Sequence, residues 1–168
     1  MLTFTTDGMV RQRFAFKAPF MDYFFKNLKP EHLIKLYQCC KFFYAMFHLN
    51  IIRHLVVVDD DEEEILNPTI TFIRASNRSL KLLADFWISD SLTSCATYNV
   101  QNTLPTFSRC TIKKLELRDY IKHGELLLLT KAGTIEELKI KGVFADDGVA
   151  FIPIEDIIIE VPNAKSIK

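Results

Sequence analysis

The sequence predicts a mixed α/β protein, α+β overall, in which a small helical module precedes a β/α repeat domain with parallel strands. Three observations carry that expectation. Between residues 19 and 47 apolar side chains recur at helical spacing. Six consecutive acids, DDDEEE at 59–64, then interrupt the chain. Beyond them an apolar triplet recurs at the first, fourth and sixth places of a short segment, and stretches of helical character separate the copies. The expected organisation is a polar lead-in over 1–17, a helical module over 18–58, an acidic linker over 59–68 and a repeat domain over 69–168. A chain of 168 residues fits one domain, or a small module joined to a larger one.

The first helix is expected over 19–28, because proline suits a first helical turn and Phe20, Met21, Phe24, Phe25 and Leu28 follow the helix period. Pro30 and Glu31 open a second, predicted to run without a break to residue 47. That helix has two apolar stripes. Leu33, Leu36, Tyr37, Cys40, Phe43, Tyr44 and Phe47 form one, and Cys39, Phe42 and Met46 form the other. One stripe can pack within the module. The second asks for a further partner, either the repeat domain or another protein, because contiguous exposed apolar surface is uncommon on monomers. The apolar segment 51–58 closes the module, and the acidic run is read as a self-repelling, solvated linker.

The repeated triplets are Leu83, Phe86 and Ile88; Ile112, Leu115 and Leu117; and Ile135, Leu138 and Ile140. Ala164 and Ile167 begin a fourth. Their starts lie 29, 23 and 29 residues apart, and the pattern resembles the LxxLxL strand core of leucine-rich repeats. Tyr120 and Val143 stand where that repeat places Asn or Cys, and the fourth core is incomplete at Lys168, so the domain is expected to be short or truncated. Helical connections are predicted over 100–109, 124–131 and 153–161, the last despite the β-branched run Ile157-Ile158-Ile159. Alternation along a strand sends Asp85, Trp87 and Ser89, then Lys114, Glu116 and Arg118, then Glu137, Lys139 and Lys141 to the open face of the sheet. On that face Trp87, Arg118 and Lys141 are the candidate contacts for a protein substrate. Trp87 is read either as an exposed anchor or as an aromatic lid.

Composition excludes several classes of function. Twenty-one basic and 21 acidic residues give a formal charge of zero, which argues against nucleic acid as a partner. There is no leader-like apolar run and no stretch long enough to span a membrane, so a cytoplasmic or nuclear protein is expected. Cys39, Cys40, Cys95 and Cys110 lack metal-ligand spacing, and reduced, packed thiols are expected. His32, His48, His54 and His123 fit no HExxH pattern, and neither a phosphate loop nor a GxSxG elbow is present. The sequence therefore predicts a binding protein, without catalytic residues, metal or cofactor.

LKPEHLIKLYQCCKFF, residues 28–43, resembles the second half of an F-box, and APFMDYFFKNL resembles its first helix. Leu28, Pro30, Glu31, Leu33, Leu36, Cys40, Lys41 and Phe43 stand where the pattern L-P-P-E-D-L-L-x-L-x-x-V-C-K-x-F expects them. Ala18 departs from the usual Leu, and Pro19 lies nine residues before Leu28, about two fewer than usual. The order of later segments, from FWISDSL through KKLELRD and LLLLT to DDGVAFIPIEDIIIEVPNAKSI, is similar to a nematode-expanded set of F-box-like proteins with a repeat domain after the box. The resemblance implies docking on a Skp-type adaptor and presentation of a protein substrate to a cullin-RING ubiquitin ligase. Pro19, Phe20, Leu28, Leu33, Leu36, Cys40 and Phe43 are the adaptor-binding candidates it implies. The alternative is a repeat module whose box no longer recruits an adaptor, or a non-functional fragment.

Overall fold

Proline stands in the first turn of each of the first two helices. The computed structural model describes residues 5–9, 17–65, 70–96 and 104–168, so most of the predicted lead-in and the end of the predicted linker lie outside the described residues. The chain divides into two compact units, Leu2–Ile51 and Ile52–Lys168.

The first unit holds three helices: α1 (Ala18–Lys26), α2 (Pro30–Cys39) and α3 (Lys41–Phe47). Glu31 lies in the first turn of α2, where the exposed N–H groups favour an acid. The helix predicted to continue to residue 47 instead breaks at Cys40, whose backbone is extended at φ −154° and ψ 122°. The Cys40 N–H still bonds back to the Leu36 carbonyl, 2.9 Å away, and α3 starts at the next residue. The apolar stripe of the sequence is thus shared by two helices. At the far end His48 takes a left-handed conformation, φ 50°, and its N–H closes α3 on the Tyr44 carbonyl at 2.8 Å.

The second unit is built on a seven-stranded sheet with neighbours in the order β2 (Ile70–Arg74), β1 (Ile51–Val58), β3 (Trp87–Ser94), β5 (Lys114–Leu117), β7 (Glu137–Ile140) and β9 (Ser166–Ile167). A short β4 (Arg109–Cys110) also pairs with β3. The registered pairings β1–β2, β3–β4, β3–β5, β5–β7 and β7–β9 are all parallel. Parallel neighbours need a crossover from the end of one strand to the start of the next. Between β5 and β7 the crossover contains β6 (Ile121–Lys122) and α4 (His123–Thr130). Between β7 and β9 it contains β8 (Val143–Phe144) and α5 (Ile154–Ile159), and β6 pairs with β8 in a second parallel sheet.

Register places Leu92, Leu115, Leu138 and Ile167 side by side across β3, β5, β7 and β9. The first three are essentially inaccessible, as are Ile112, Leu117 and Ile135, and together they form the centre of the core. The apolar residues on successive strands thus bury one another, as stacked units must. The first copy of the pattern is, however, not the one the sequence suggested. Leu92 pairs with Leu115, so the equivalents of Ile112 and Leu117 are Ser89 and Ser94, 1% and 0% exposed. Leu83 belongs instead to a 3-10 helix, Arg78–Asp85, and Ile88 pairs with Cys110 of β4. The paired segments 91–94, 114–117, 137–140 and 166–167 follow one another at offsets of 23, 23 and 29 residues.

Other expectations are corrected in the same way. The acidic run joins two paired strands, β1 and β2, within one unit, and the division of the chain falls at Ile51 and Ile52 instead. It is tied down as well as solvated. The Glu64 carboxylate accepts bonds from the Arg74 N–H at 2.9 Å and the Asn77 amide at 2.7 Å, and Asp60 accepts one from the Ser76 N–H at 3.1 Å. Of the helix predicted over 100–109, residues 100–103 lie outside the described residues. Residues 104–108 are not helical, because Leu104 precedes Pro105 and is steered away from the helical region. Of the segment 153–161, Ile154–Ile159 form a helix, α5, whose preceding Pro153 and first-turn acids Glu155 and Asp156 outweigh the β-branched run.

Candidate functional site

Two surfaces carry the residues singled out by the sequence. On the helical unit, Leu33 is 2% exposed and Tyr37, one turn later, also 2%. The Tyr37 ring meets Tyr44 of α3 edge to face, with centroids 5.5 Å apart, and burial followed by the neighbouring Tyr44 pushes the Tyr37 phenol up to about 12. Tyr44 in turn packs on His48 and donates its hydroxyl to the Asn50 side chain at 3.0 Å. Leu36, Cys40 and Phe43 are partly buried, with Phe43 edge-on to Phe42 at 6.0 Å. Leu28, in the link between α1 and α2, is also partly buried.

Pro19 and Phe20 differ from this group. Both are exposed at the start of α1, and Phe20 keeps 51% of its surface open, with Tyr23 on the same helix at 70%. On α3 Met46 is 53% exposed, and Cys39 at the end of α2 is exposed as well. The candidate box residues therefore separate into a holding set led by Leu33 and an open set led by Phe20. Spacing alone could not separate them, because every position is apolar and follows one period.

The second surface is the open face of the large sheet. Its rows follow from the register: Ser91, Lys114, Glu137 and Ser166 lie across one level. Thr93, Glu116 and Lys139 lie across the next. Together with Lys168 these rows line a shallow depression of 220 Å³. The charges are mutually paired. Lys114 meets Glu137 at 2.8 Å, and Glu116 receives both Lys139 and Arg118 at 3.0 Å. Those two donors hold the Glu116 carboxyl below the usual carboxylate range, with Lys139 the larger contributor. Lys141 reaches Asp119 at 3.5 Å and stands 4.6 Å over the Tyr120 ring.

Arg118 and Lys141 are exposed, whereas Trp87 is buried and is not the exposed anchor. Trp87 is 2% exposed, its indole N–H donates to the Thr111 hydroxyl at 2.7 Å, and the Arg109 guanidinium lies 3.6 Å over its ring. On β3 Trp87 alternates onto the side of Ser91 and Thr93 and does not belong to the core cluster, so it is a covered residue of that side and not an exposed anchor. Ser89, also expected on the open face, is buried, and Asp85 belongs to the 3-10 helix.

Residues outside the apolar triplets link neighbouring strand segments. The Thr134 hydroxyl donates to the Ile112 carbonyl at 2.8 Å, and the Asn163 amide donates to the Gly133 carbonyl at 2.6 Å. With Thr111 they are the residues directly before each strand core, a position that a search for apolar triplets leaves unread. Gly133 has φ +63°, a conformation that glycine adopts without penalty.

At the β1 end of the face, Arg53 binds Asp90 at 2.5 Å, and His54 Nδ1 lies 2.8 Å from the Ser91 hydroxyl. His54 Nε2 is 3.9 Å from Asp90, too far for a hydrogen bond, and Arg53 already occupies that carboxylate. In this polar cluster of four side chains Arg53, and not His54, holds Asp90. Among the described residues no group of three or more His, Cys, Asp or Glu side chains could hold a metal ion, and no helix is long and apolar enough to cross a membrane. Burial pushes the Cys110 thiol up to about 11 and also raises that of Cys95. Comparisons of the chain with family models, with curated proteins and with solved structures found no match.

Proposed function

We propose that the protein is a substrate receptor of the F-box type: its helical unit docks on a Skp-type adaptor, and the open face of its sheet receives a protein substrate destined for a cullin-RING ubiquitin ligase. The observation that carries the reading is the contrast between Phe20, 51% exposed, and the buried Leu33. A docking helix needs aromatic anchors open to a partner and a separate set that holds the module together. Pro19, Phe20 and Met46 suit the first role. Leu33, Leu36, Leu28 and Phe43 suit the second, and Cys40 marks the turn between the helices. Such a receptor performs no bond chemistry; it raises the effective concentration of a substrate near the ligase.

A second reading has its own observation. The break at Cys40 divides the apolar stripe between α2 and α3, which favours a repeat module whose box no longer grips an adaptor. Calorimetric titration of the chain with a purified Skp-type adaptor separates the two. A saturable one-to-one complex, weakened about tenfold or more by Phe20→Ala with helicity unchanged, supports the receptor. Absence of heat from a folded sample supports the second reading.

A further inference from the structure

We infer that the crossover between β8 and β9, where Val149, Phe151, Ile154, Ile158 and Ile159 stand open, is a docking site for a cationic amphipathic segment of another protein. The site is separate from the candidate box residues and from the open face of the sheet, and the inference rests on neither.

Apolar exposure is concentrated here. Of the twelve large apolar side chains that are exposed among the described residues, five fall between 149 and 159, so they form a patch and not the scattered exposure of any surface. Val149 is 83% exposed, Ile159 72% and Phe151 57%. The backbone beneath them is fixed by hydrogen bonds. The Ala145 N–H donates to the Ala150 carbonyl at 2.8 Å and the Ile152 N–H to the Val143 carbonyl at 2.9 Å, which closes a hairpin, and α5 starts two residues later. Phe151 is held by Phe144, stacked at 4.4 Å, and by Tyr120 at 5.5 Å. On α5 Ile157 enters the core, while Ile154 and Ile158, one turn apart, do not. An apolar patch on so fixed a frame loses little freedom when a partner covers it.

Charge selects the occupant. Residues 142–164 carry five carboxylates, Asp146, Asp147, Glu155, Asp156 and Glu160, and no Lys or Arg. Among the described residues none of the five is in an ion pair. Asp146 accepts from the Gly124 N–H at 2.8 Å and Asp147 from the Val149 N–H at 3.0 Å. Cations of the neighbouring segments are engaged elsewhere: Lys141 with Asp119, Lys165 with Glu136, and Lys168 in the depression of the open face. Lys122, opposite Phe144 in the β6–β8 register, and Lys131 after α4 remain. Against five acids these two leave a surplus of three negative charges, before Glu125 of α4 is counted. Glu155 and Asp156 directly follow Ile154, and Glu160 follows Ile159, so the acids adjoin the exposed isoleucines. Such a surface repels nucleic acid and anionic lipid, and a second copy presenting the same patch would bring like charges together. A segment that combines apolar residues with Lys or Arg matches both features.

The test is fluorescence anisotropy with the full chain in about 50 mM salt, where exposed charges are weakly screened. The probes are a labelled amphipathic peptide of Leu and Lys, its Leu-Glu counterpart, and a Ser-Lys peptide of the same length. The expected result is that Leu-Lys binds about tenfold or more tightly than either of the others. Val149→Ser with Ile159→Ser, at open positions, should remove about tenfold of that affinity, and Phe20→Ser with Met46→Ser should leave it within about twofold. Glu155→Gln with Glu160→Gln should weaken it more than Asp61→Asn with Glu63→Gln, which removes equal charge from the acidic run. Equal binding of Ser-Lys overturns the role of the apolar patch, and equal binding of Leu-Glu overturns the role of charge. Equal losses within either pair of double variants overturn the assigned location, and binding by none of the probes overturns the inference as a whole. A dimer in sedimentation that Val149→Ser with Ile159→Ser dissolves would replace the partner with a second copy.

Discussion

The helical unit and the sheet unit bury their apolar residues very differently. Among the described residues, Leu33 and Tyr37 are the only buried apolar side chains before residue 52, whereas the sheet unit has a continuous core from Ile52 to Val161. The helical unit meanwhile exposes Phe20, Tyr23 and Met46. A parallel sheet with a full set of in-register leucines carries its own stability. Three helices of seven to ten residues gain more from a partner, because isolated helices of that length are marginal in water.

The comparison can be broken most sharply in the core. Leu115→Ala, at a position 1% exposed in the middle of the leucine row, should destabilise the sheet unit by about 2 to 5 kcal/mol, read from urea unfolding followed by tryptophan fluorescence. Because the single Trp, Trp87, is buried in the same unit, the signal reports on the sheet. Leu33→Ala should lower helicity by circular dichroism and leave that tryptophan transition in place. A shift of the transition as large as that of Leu115→Ala would mean that the two units unfold as one.

A smaller effect, of opposite sign, is expected at Ser89. Its hydroxyl is buried and has no hydrogen-bond partner among the described residues, so Ser89→Ala should be neutral or stabilise by up to about 1 kcal/mol in the same urea experiment. Destabilisation beyond about 1 kcal/mol would show that the hydroxyl is satisfied.

Acid should act on the surface of the sheet unit. Hydrogen bonds from Ser76 to Asp60, Arg74 to Glu64, Lys139 to Glu116 and Lys165 to Glu136 lower all four carboxyls below their ordinary values. Groups depressed in the folded state contribute stability above their unfolded values of about 4, and lose it as pH falls through the folded ones. Thermal stability should therefore be level from neutral pH to about 5 and decline below it. Glu116→Gln should flatten part of that decline, and an unchanged slope would remove Glu116 from the account. Its worth at neutral pH is small, because exposed ion pairs contribute about 0 to 1 kcal/mol.

The parts legible in the sequence were those written in apolar residues. The triplets at Ile112 and Ile135, the helices α4 and α5, and the proline-led starts of α1 and α2 all appeared close to where they were expected. What escaped was written in other residue types. Ser89 and Ser94 fill buried places that a hydrophobic pattern assigns to leucine, so the first apolar triplet was sought six residues too early, and the burial of Trp87 is not written in its own side chain. At Cys40 no glycine or proline announces the break, and the apolar period continues through it. The open and holding sets of the helical unit were illegible for a related reason: exposure depends on what packs on a residue, and Phe20 and Leu33 differ little in hydrophobicity.

The most direct test of the contrast between the units is amide hydrogen exchange along the chain, alone and with a Skp-type adaptor in excess. The account predicts slow exchange in β5 and β7 in both samples, fast exchange in α1 to α3 of the free chain, and strong protection of α1 to α3 once the adaptor is added. Helices that exchange as slowly as the sheet in the free chain, with no change on adding the adaptor, would contradict it.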